Sequence, residues 1–157
     1  MTHAIGEARV APGPAPSAEH PASRGARVGF TLGVTPASGC CAADGFALLR
    51  GETLAAPALL WSEVPSVLHE LAWRGSVSRR LAREALARFL AASVVPRRPS
   101  RLTSQAWDIA DRFGWAKTYD AEYVALAHLL RCRLLTLDAR LRRSASGLIE
   151  VVGPSEL

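Results

Sequence analysis

The sequence predicts an α/β fold in which helices cover both faces of a mostly parallel β-sheet. Amphipathic helical patterns alternate with short apolar segments of strand length, among them residues 53–56, 134–137 and 148–152. Parallel strands require crossover connections that are usually helical, so this alternation favours a parallel sheet over hairpins. We therefore predict an α/β/α sandwich, and no internal repeat is visible.

Composition narrows the class of protein. At 157 residues, with 49% apolar and 21% charged residues, the chain is expected to form one globular domain. No run of about 18 apolar residues occurs, so we expect no membrane partner. The three cysteines, Cys40, Cys41 and Cys132, fit neither a disulfide framework nor a zinc site, which favours a cytoplasmic location. The net charge of +5 suits a protein that binds nucleic acid, and it equally suits an arginine-rich codon preference.

The first 41 residues differ from the rest of the chain. They are rich in Ala, Pro, Gly and Ser, and only residues 28–34 have the composition of a strand. Such a segment buries too little side chain to offset the entropy of ordering it. We predict that residues 1–41 are mostly disordered or atypical and that residues 42–157 form the folded domain.

The folded part is predicted to open with a short helix that Gly51 stops, followed by a buried strand over residues 53–56. Residues 58–73 have apolar positions at helical spacing. Pro65 conflicts with an uninterrupted helix because it lacks a donor and clashes with the preceding turn, at a cost of roughly 3 kcal/mol. The helix is expected either to kink at Pro65 or to begin afresh with Ser62 as its N-cap.

Three more helices follow in the predicted order. The first is capped by Ser78 and the second by Thr103 or Ser104, and the third is expected to begin at Asp120. A basic loop separates the first two, over residues 96–99, and Gly114 ends the second. The first is expected to bury one face, Leu81, Ala85, Phe89 and Leu90. Residues 134–137 then form a strand, residues 139–144 a helical turn and residues 148–152 a final strand.

Two carboxylates lie where an open parallel sheet binds its ligands, beyond the carboxyl ends of the strands. Asp138 directly follows the strand over residues 134–137, and Asp120 begins a helix. Each has a structural alternative, since Asp120 suits an ordinary helix cap and Asp138 suits a loop residue that caps the next turn. Thr136 shares a face of the strand with Asp138, so its hydroxyl could orient a carboxylate or simply pack.

Glu63 is the third candidate, within the apolar stretch over residues 59–67. A carboxylate buried there without a partner would be costly. It is therefore expected to be exposed at the helix start or drawn into a charge cluster around a cation. If Glu63 meets Asp120 and Asp138, the three form a pocket suited to metal-assisted cleavage of a phosphodiester.

From about residue 54 to its end, the chain resembles PIN domains, most closely the VapC toxins of bacterial toxin–antitoxin pairs. The stretches that carry the resemblance are residues 54–63, the segment Tyr-Asp-Ala-Glu-Tyr-Val-Ala-Leu-Ala over residues 119–127, residues 134–141 with Leu-Leu-Thr-Leu-Asp, and residues 151–157. Each is short, but their order and spacing together are fairly specific.

The resemblance implies an endoribonuclease that depends on Mg²⁺ or Mn²⁺, acts on RNA, forms a homodimer and is neutralised by a cognate antitoxin protein. It also implies that Glu63, Asp120 and Asp138 are metal ligands and catalytic residues, with Thr136 supporting the site.

The sequence departs from that family at the first acidic residue. Such domains open with a buried strand ending in aspartate, and here Asp44 is the only Asp before position 108 and lies too close to Glu63 in sequence. If residues 28–34 supply the strand, Thr35 takes the acidic position and brings no charge. We therefore expect a first strand that is missing or replaced, and a weak or inactive enzyme. The alternative function is a non-catalytic remnant whose residues Trp61, Val64, Leu68 and Trp73 receive an antitoxin helix or a second subunit.

Overall fold

Five parallel strands form the sheet of the computed structural model, which describes residues 53–153, Glu156 and the strand over residues 27–31. The strands are β1 (Arg27–Thr31), β2 (Thr53–Ala56), β3 (Val94–Pro96), β4 (Arg133–Thr136) and β5 (Val151–Val152). They lie in the order β3-β2-β1-β4-β5, and every neighbouring pair is parallel. The predicted α/β architecture with a parallel sheet is confirmed.

The central strand comes from the segment that the sequence marks as atypical. Strand β1 pairs with β2 from Arg27 opposite Thr53, and with β4 as far as Thr31 opposite Thr136. The first strand is therefore replaced rather than absent. The predicted division at residue 42 stays a prediction, because residues 1–26 and 32–52 lie outside the described part of the chain, as does the short helix predicted before Gly51.

The helices are α1 (Leu60–Trp73), α2 (Arg79–Ala91), α3 (Leu102–Phe113), α4 (Tyr119–Leu130) and α5 (Ala139–Ala145). Ser78 caps α2 as predicted, its hydroxyl accepting the N–H of Leu81 at 3.1 Å. Gly114 ends α3 in the left-handed conformation, with φ of 65°, which glycine adopts at little cost.

The alternative with Ser62 as a cap and the cap predicted at Thr103 or Ser104 are both wrong. Helix α1 begins at Leu60 and keeps Pro65 inside it, so Ser62 is not its N-cap. Helix α3 begins at Leu102 after Arg101, and neither Thr103 nor Ser104 caps it. At each helix start the N–H of the first helical residue donates to a carbonyl three residues earlier, as Leu60 N–H does to the Pro57 carbonyl at 3.1 Å, so the first turn forms without a side-chain cap.

Two further predictions fail on helix α2 and at the sheet edge. Leu81 and Leu90 are exposed, and the buried residues of α2 are Ala82 and Phe89. Pro96, predicted as the start of a basic loop, is instead the last residue of strand β3, where it pairs with Ala56. Because β3 is an edge strand, its proline needs no second ladder partner.

Most of the described core lies between the helices and one face of the sheet. Helix α3 packs against α4, α1 against α2, and α4 against strands β1 and β4. Tyr123, Leu126 and Leu134 are fully buried in this cluster. A smaller cluster of Leu54, Leu135 and Val152 lies apart from it. In the part of the chain described here, no helix has the length and apolarity needed to cross a membrane.

Candidate functional site

The predicted site residues lie in segments that begin at the carboxyl edge of the sheet. Glu63 lies in the first turn of α1, which follows β2, while Asp138 follows β4. Asp120 lies in the first turn of α4, the helix that leads into β4 and therefore begins at the same edge. We call Glu63, Asp120, Glu122 and Asp138 the acidic edge.

Glu63 is held by a tyrosine rather than by a charge. The hydroxyl of Tyr123 donates to Glu63 Oε2 at 2.6 Å, joining α1 to α4. The Tyr123 side chain is buried, and the Glu63 side chain is half-buried. Glu63 was expected either to be exposed or to join a charge cluster around a cation. It is not fully exposed, and its direct partner is the Tyr123 hydroxyl, which fixes one carboxylate oxygen.

Asp120 is not a helix cap. The N-cap of α4 is Thr118, which makes no side-chain capping hydrogen bond, and Asp120 is the second residue of the helix. Its Oδ2 accepts a hydrogen bond from Arg140 Nη2 at 2.9 Å. The capping alternative is therefore wrong for Asp120, and its carboxylate faces a guanidinium from α5.

Asp138 is a cap, and Thr136 shapes the turn before it. Asp138 Oδ1 accepts the N–H groups of Arg140 at 2.7 Å and Leu141 at 3.1 Å, so it is the N-cap of α5. The Asp138 N–H donates to Thr136 Oγ1 at 3.0 Å, and Thr136 is 3% exposed. Together these bonds fix the direction in which the Asp138 carboxylate leaves β4.

Neighbouring carboxylates at the acidic edge affect one another electrostatically. Burial raises the pKa of the Glu63 carboxyl above its usual value, the hydrogen bond from Tyr123 opposes that rise, and the charges of Asp120 and Glu122 add to it. Burial also raises the pKa of Glu122, and the positive charge of Arg98 opposes this rise. Arg98 follows strand β3. The ends of β2, β3 and β4 thus bring acids and an arginine to one edge.

The donors present fit a divalent cation in their chemistry. Mg²⁺ prefers hard carboxylate oxygens and is commonly held by one or two of them, with water and substrate phosphate completing its shell. Across residues 53–153, no three Asp, Glu, His or Cys side chains come together as a group able to hold a metal. Asp120 is close enough to Glu63 for its charge to raise the pKa of Glu63, and two carboxylates placed in this way could share such an ion.

Three groups in and around the acidic edge are not among the residues predicted from the sequence. Tyr123 is three residues from Asp120 and so lies on the same face of α4. Arg140 and Glu122 were not singled out. The three-residue spacing between Asp120 and Tyr123 is visible in the sequence and indicates that the two are neighbours on one helix. The contact between Arg140 and Asp120 joins two helices, so no local pattern indicates it.

The α/β fold with a parallel sheet agrees with the comparison with known families. The PIN domain family model matches residues 43–146, so the chain belongs to the PIN-domain family. It is 37% identical over 94 residues to the VapC ribonuclease Mb0985 of Mycobacterium bovis and to the ribonuclease VapC9 of Mycobacterium tuberculosis. The aligned part covers 60% of this chain and 72% of each relative.

Proposed function

We propose that this protein is an endoribonuclease that acts as the toxin of a type II toxin–antitoxin pair and uses Mg²⁺ or Mn²⁺. The observation that carries the proposal is the acidic edge at the carboxyl ends of the strands, in a PIN-domain chain similar to VapC ribonucleases. Glu63, Asp120 and Asp138 are the proposed metal ligands and catalytic residues, and Thr136 supports them.

Each residue has a definable task in this proposal. Glu63 and Asp120 hold the cation, with Tyr123 fixing the direction of the Glu63 carboxylate. Asp138 supplies a third carboxylate, whose orientation is set by Thr136 and by the first turn of α5. A bound divalent ion supplies charge stabilisation at the scissile phosphate and activates water. Arg97, Arg98 and Arg101 are exposed after β3 and hold the RNA backbone.

The activity is expected to be weak. Strand β1 ends opposite Thr136, next to the candidate site, but the sequence after Thr31 contains no carboxylate before Asp44. A site with one fewer carboxylate offers an ion fewer hard ligands and binds it less tightly. We therefore expect cleavage to need a high concentration of Mg²⁺ or Mn²⁺.

Cleavage of RNA by the purified full-length chain tests the function. We expect cleavage with Mg²⁺ or Mn²⁺, none in EDTA, and none with Asp138→Asn. This variant removes the charge but keeps an N-cap of similar quality, so α5 should remain folded. Asp138→Ala should lose both the activity and about 1 kcal/mol of stability.

Asp111→Asn, on the exposed face of α3, is the matched control and should cleave like the wild type. Undiminished cleavage by Asp138→Asn would remove this mechanism.

The proposed protein partners are a cognate antitoxin and a second copy of the chain, and the proposed location is the cytoplasm. Of the residues first suggested for such contacts, Val64 is buried, and Trp61 and Leu68 pack against the core. Trp73 differs, being 78% exposed at the end of α1. Other large apolar side chains are exposed on α2 and α3, namely Leu81, Leu90 and Trp107.

Those exposed side chains favour a second candidate function, a non-catalytic remnant that retains a partner surface. Co-expression with the antitoxin encoded beside it, followed by size-exclusion chromatography with light scattering, distinguishes the two. A stable complex without any RNA cleavage favours the remnant. Cleavage that is lost with Asp138→Asn favours the enzyme, and a lone monomer in this experiment counts against a partner surface.

A further inference from the structure

Arg140 contacts two carboxylates of the acidic edge at once. Its backbone N–H donates to Asp138 Oδ1 at 2.7 Å, and its guanidinium donates to Asp120 Oδ2 at 2.9 Å. Both distances are those of normal to short charge-assisted hydrogen bonds. The residue thus links the end of β4 to the first turn of α4, at the place where a cation is proposed to bind.

The position of Arg140 in the first turn of α5 is unfavourable for a positively charged side chain. Arg140 is the second residue of α5, and the N-terminal turn of a helix disfavours positive charge because the free N–H groups point there. Carboxylates opposite that turn offset this effect, and Asp120 lies directly against the guanidinium. The contact is therefore best explained by the negative charge of the acidic edge rather than by the preferences of α5.

Local charge balance points the same way. Glu63, Asp120 and Glu122 are close enough for the pKa of Glu63 to rise in response to the other two. Arg98 opposes the rise in the pKa of Glu122, so it is the basic residue on that side. On the side of Asp120, the basic residue is Arg140. These two guanidinium groups therefore offset part of the negative charge of Glu122 and Asp120.

We propose that Arg140 is the resident counter-ion of the acidic edge and that it competes with a divalent cation for the Asp120 carboxylate. This inference rests on the proposed function, because it takes Asp120 as a metal ligand. Binding of the cation requires the guanidinium to leave Asp120, while the backbone bond from Arg140 to Asp138 can remain. Arg140 is thus a residue that tunes metal affinity, and it is not itself a catalytic residue.

The expected effect is moderate. The side chains of Arg140 and Asp120 are 62% and 37% exposed, so water and salt screen the pair. Exposed pairs of this kind are worth about two- to fivefold in an equilibrium constant. Competition of that size leaves the site accessible to metal but raises the concentration needed to fill it.

Isothermal titration of the full chain with Mn²⁺ alone, at low ionic strength where screening is least, tests the proposal. Arg140→Gln should tighten Mn²⁺ binding about three- to fivefold relative to the wild type. Arg140→Lys, which keeps the charge, should stay within about twofold of it. Arg143→Gln removes the same charge from an exposed position on the same helix and should also change binding less than about twofold.

A double-mutant cycle with Asp120→Asn separates local competition from a general charge effect. In the Asp120→Asn background, Arg140→Gln should bring little further gain, because the contested ligand is already gone. An equal gain in both backgrounds, or equal gains from Arg140→Gln and Arg143→Gln, would overturn the proposal.

The outcomes also distinguish this inference from the proposed function. If Mn²⁺ binds the wild type more tightly than Asp120→Asn and Arg140→Gln has no effect, only the role of Arg140 is wrong. If neither the wild type nor Arg140→Gln binds Mn²⁺, the metal site itself is wrong and the inference falls with it.

Discussion

At the residue scale, each proposed ligand keeps one oxygen engaged by the protein. Tyr123 holds Oε2 of Glu63, Arg140 holds Oδ2 of Asp120, and the first turn of α5 holds Oδ1 of Asp138. Groups held in this way are oriented before a ligand arrives, which reduces the entropy lost on binding. The three engagements differ in kind, since only the bond to Asp120 comes from a charged side chain.

Glu63 gives a pH prediction for the metal-free protein. Its pKa is raised in the folded state from the ordinary value of 4.5, first by burial and then by Asp120 and Glu122, against the bond from Tyr123. The unfolded state therefore releases this proton at a lower pH than the folded state. Stability contributed by the protonated group is lost as the pH rises from about 4.5 through the raised value.

Glu63→Gln, which mimics the neutral carboxyl, should therefore be more stable than the wild type at pH 7 in EDTA. We expect the gain to be below about 1 kcal/mol, because the carboxyl is half-exposed and screened. Urea unfolding at pH 7 should show the gain, and it should vanish below about pH 4. Glu150→Gln, at an exposed position before β5, is the control and should stay near the wild type at pH 7. A destabilised Glu63→Gln at pH 7 would show that the bond from Tyr123 outweighs burial.

At the element scale, α1 tolerates a proline that its sequence pattern marks as a conflict. Pro65 is the sixth residue of α1, where the backbone nitrogen would ordinarily donate to the carbonyl of Trp61. Helix α1 nevertheless continues to Trp73, burying Leu60 and Val64 on the core side. Tertiary packing of this face therefore outweighs the local cost of the proline.

Pro65→Ala should stabilise the protein by about 1–2 kcal/mol. The variant regains a helix hydrogen bond and removes a steric clash, and the greater freedom of the unfolded chain takes back part of the gain. Urea unfolding measures the difference. Ser66→Ala, exposed at the next position, is the control and should gain less than about 0.5 kcal/mol. A loss of stability in Pro65→Ala would mean that the proline ring contributes packing that alanine cannot replace.

At the scale of the whole molecule, the sheet depends on its central strand. Strand β1 pairs with β2 on one side and β4 on the other, so it connects the half that carries Glu63 to the half that carries Asp138. The family match begins at residue 43, after this strand. The residues that match the PIN-domain family therefore form the complete sheet only together with β1, which lies outside the matched range.

Removal of β1 should abolish cooperative folding. A chain of residues 42–157 lacks the strand, so β2 and β4 would each have an unpaired edge in the middle of the sheet. A chain of residues 25–157 keeps the strand and is the control. We expect a cooperative urea transition and dispersed amide resonances for the longer chain only. Cooperative unfolding of residues 42–157 would instead show that the division at residue 42 marks an independent domain.

The sequence predicted elements whose pattern is local. Strand β2, the cap at Ser78 and the stop at Gly114 were all assigned correctly, because each depends on residues adjacent in the chain. Leu81 and Leu90 were assigned to a buried face and are exposed, because which apolar residues of a helix are covered depends on its neighbours in space. Strand β3 was missed because three residues with a proline have no strand pattern of their own.

By itself, the sequence determined the α/β class, the candidate acids and their order along the chain. These follow from hydrophobic period and residue type, which need no knowledge of distant contacts. Only the tertiary structure decided which groups meet: β1 as the central strand, Tyr123 on Glu63 and Arg140 on Asp120. These pairings join residues 20 or more positions apart. Hydrogen bonds and ion pairs between such positions depend on how the helices pack on the sheet, which no local pattern specifies.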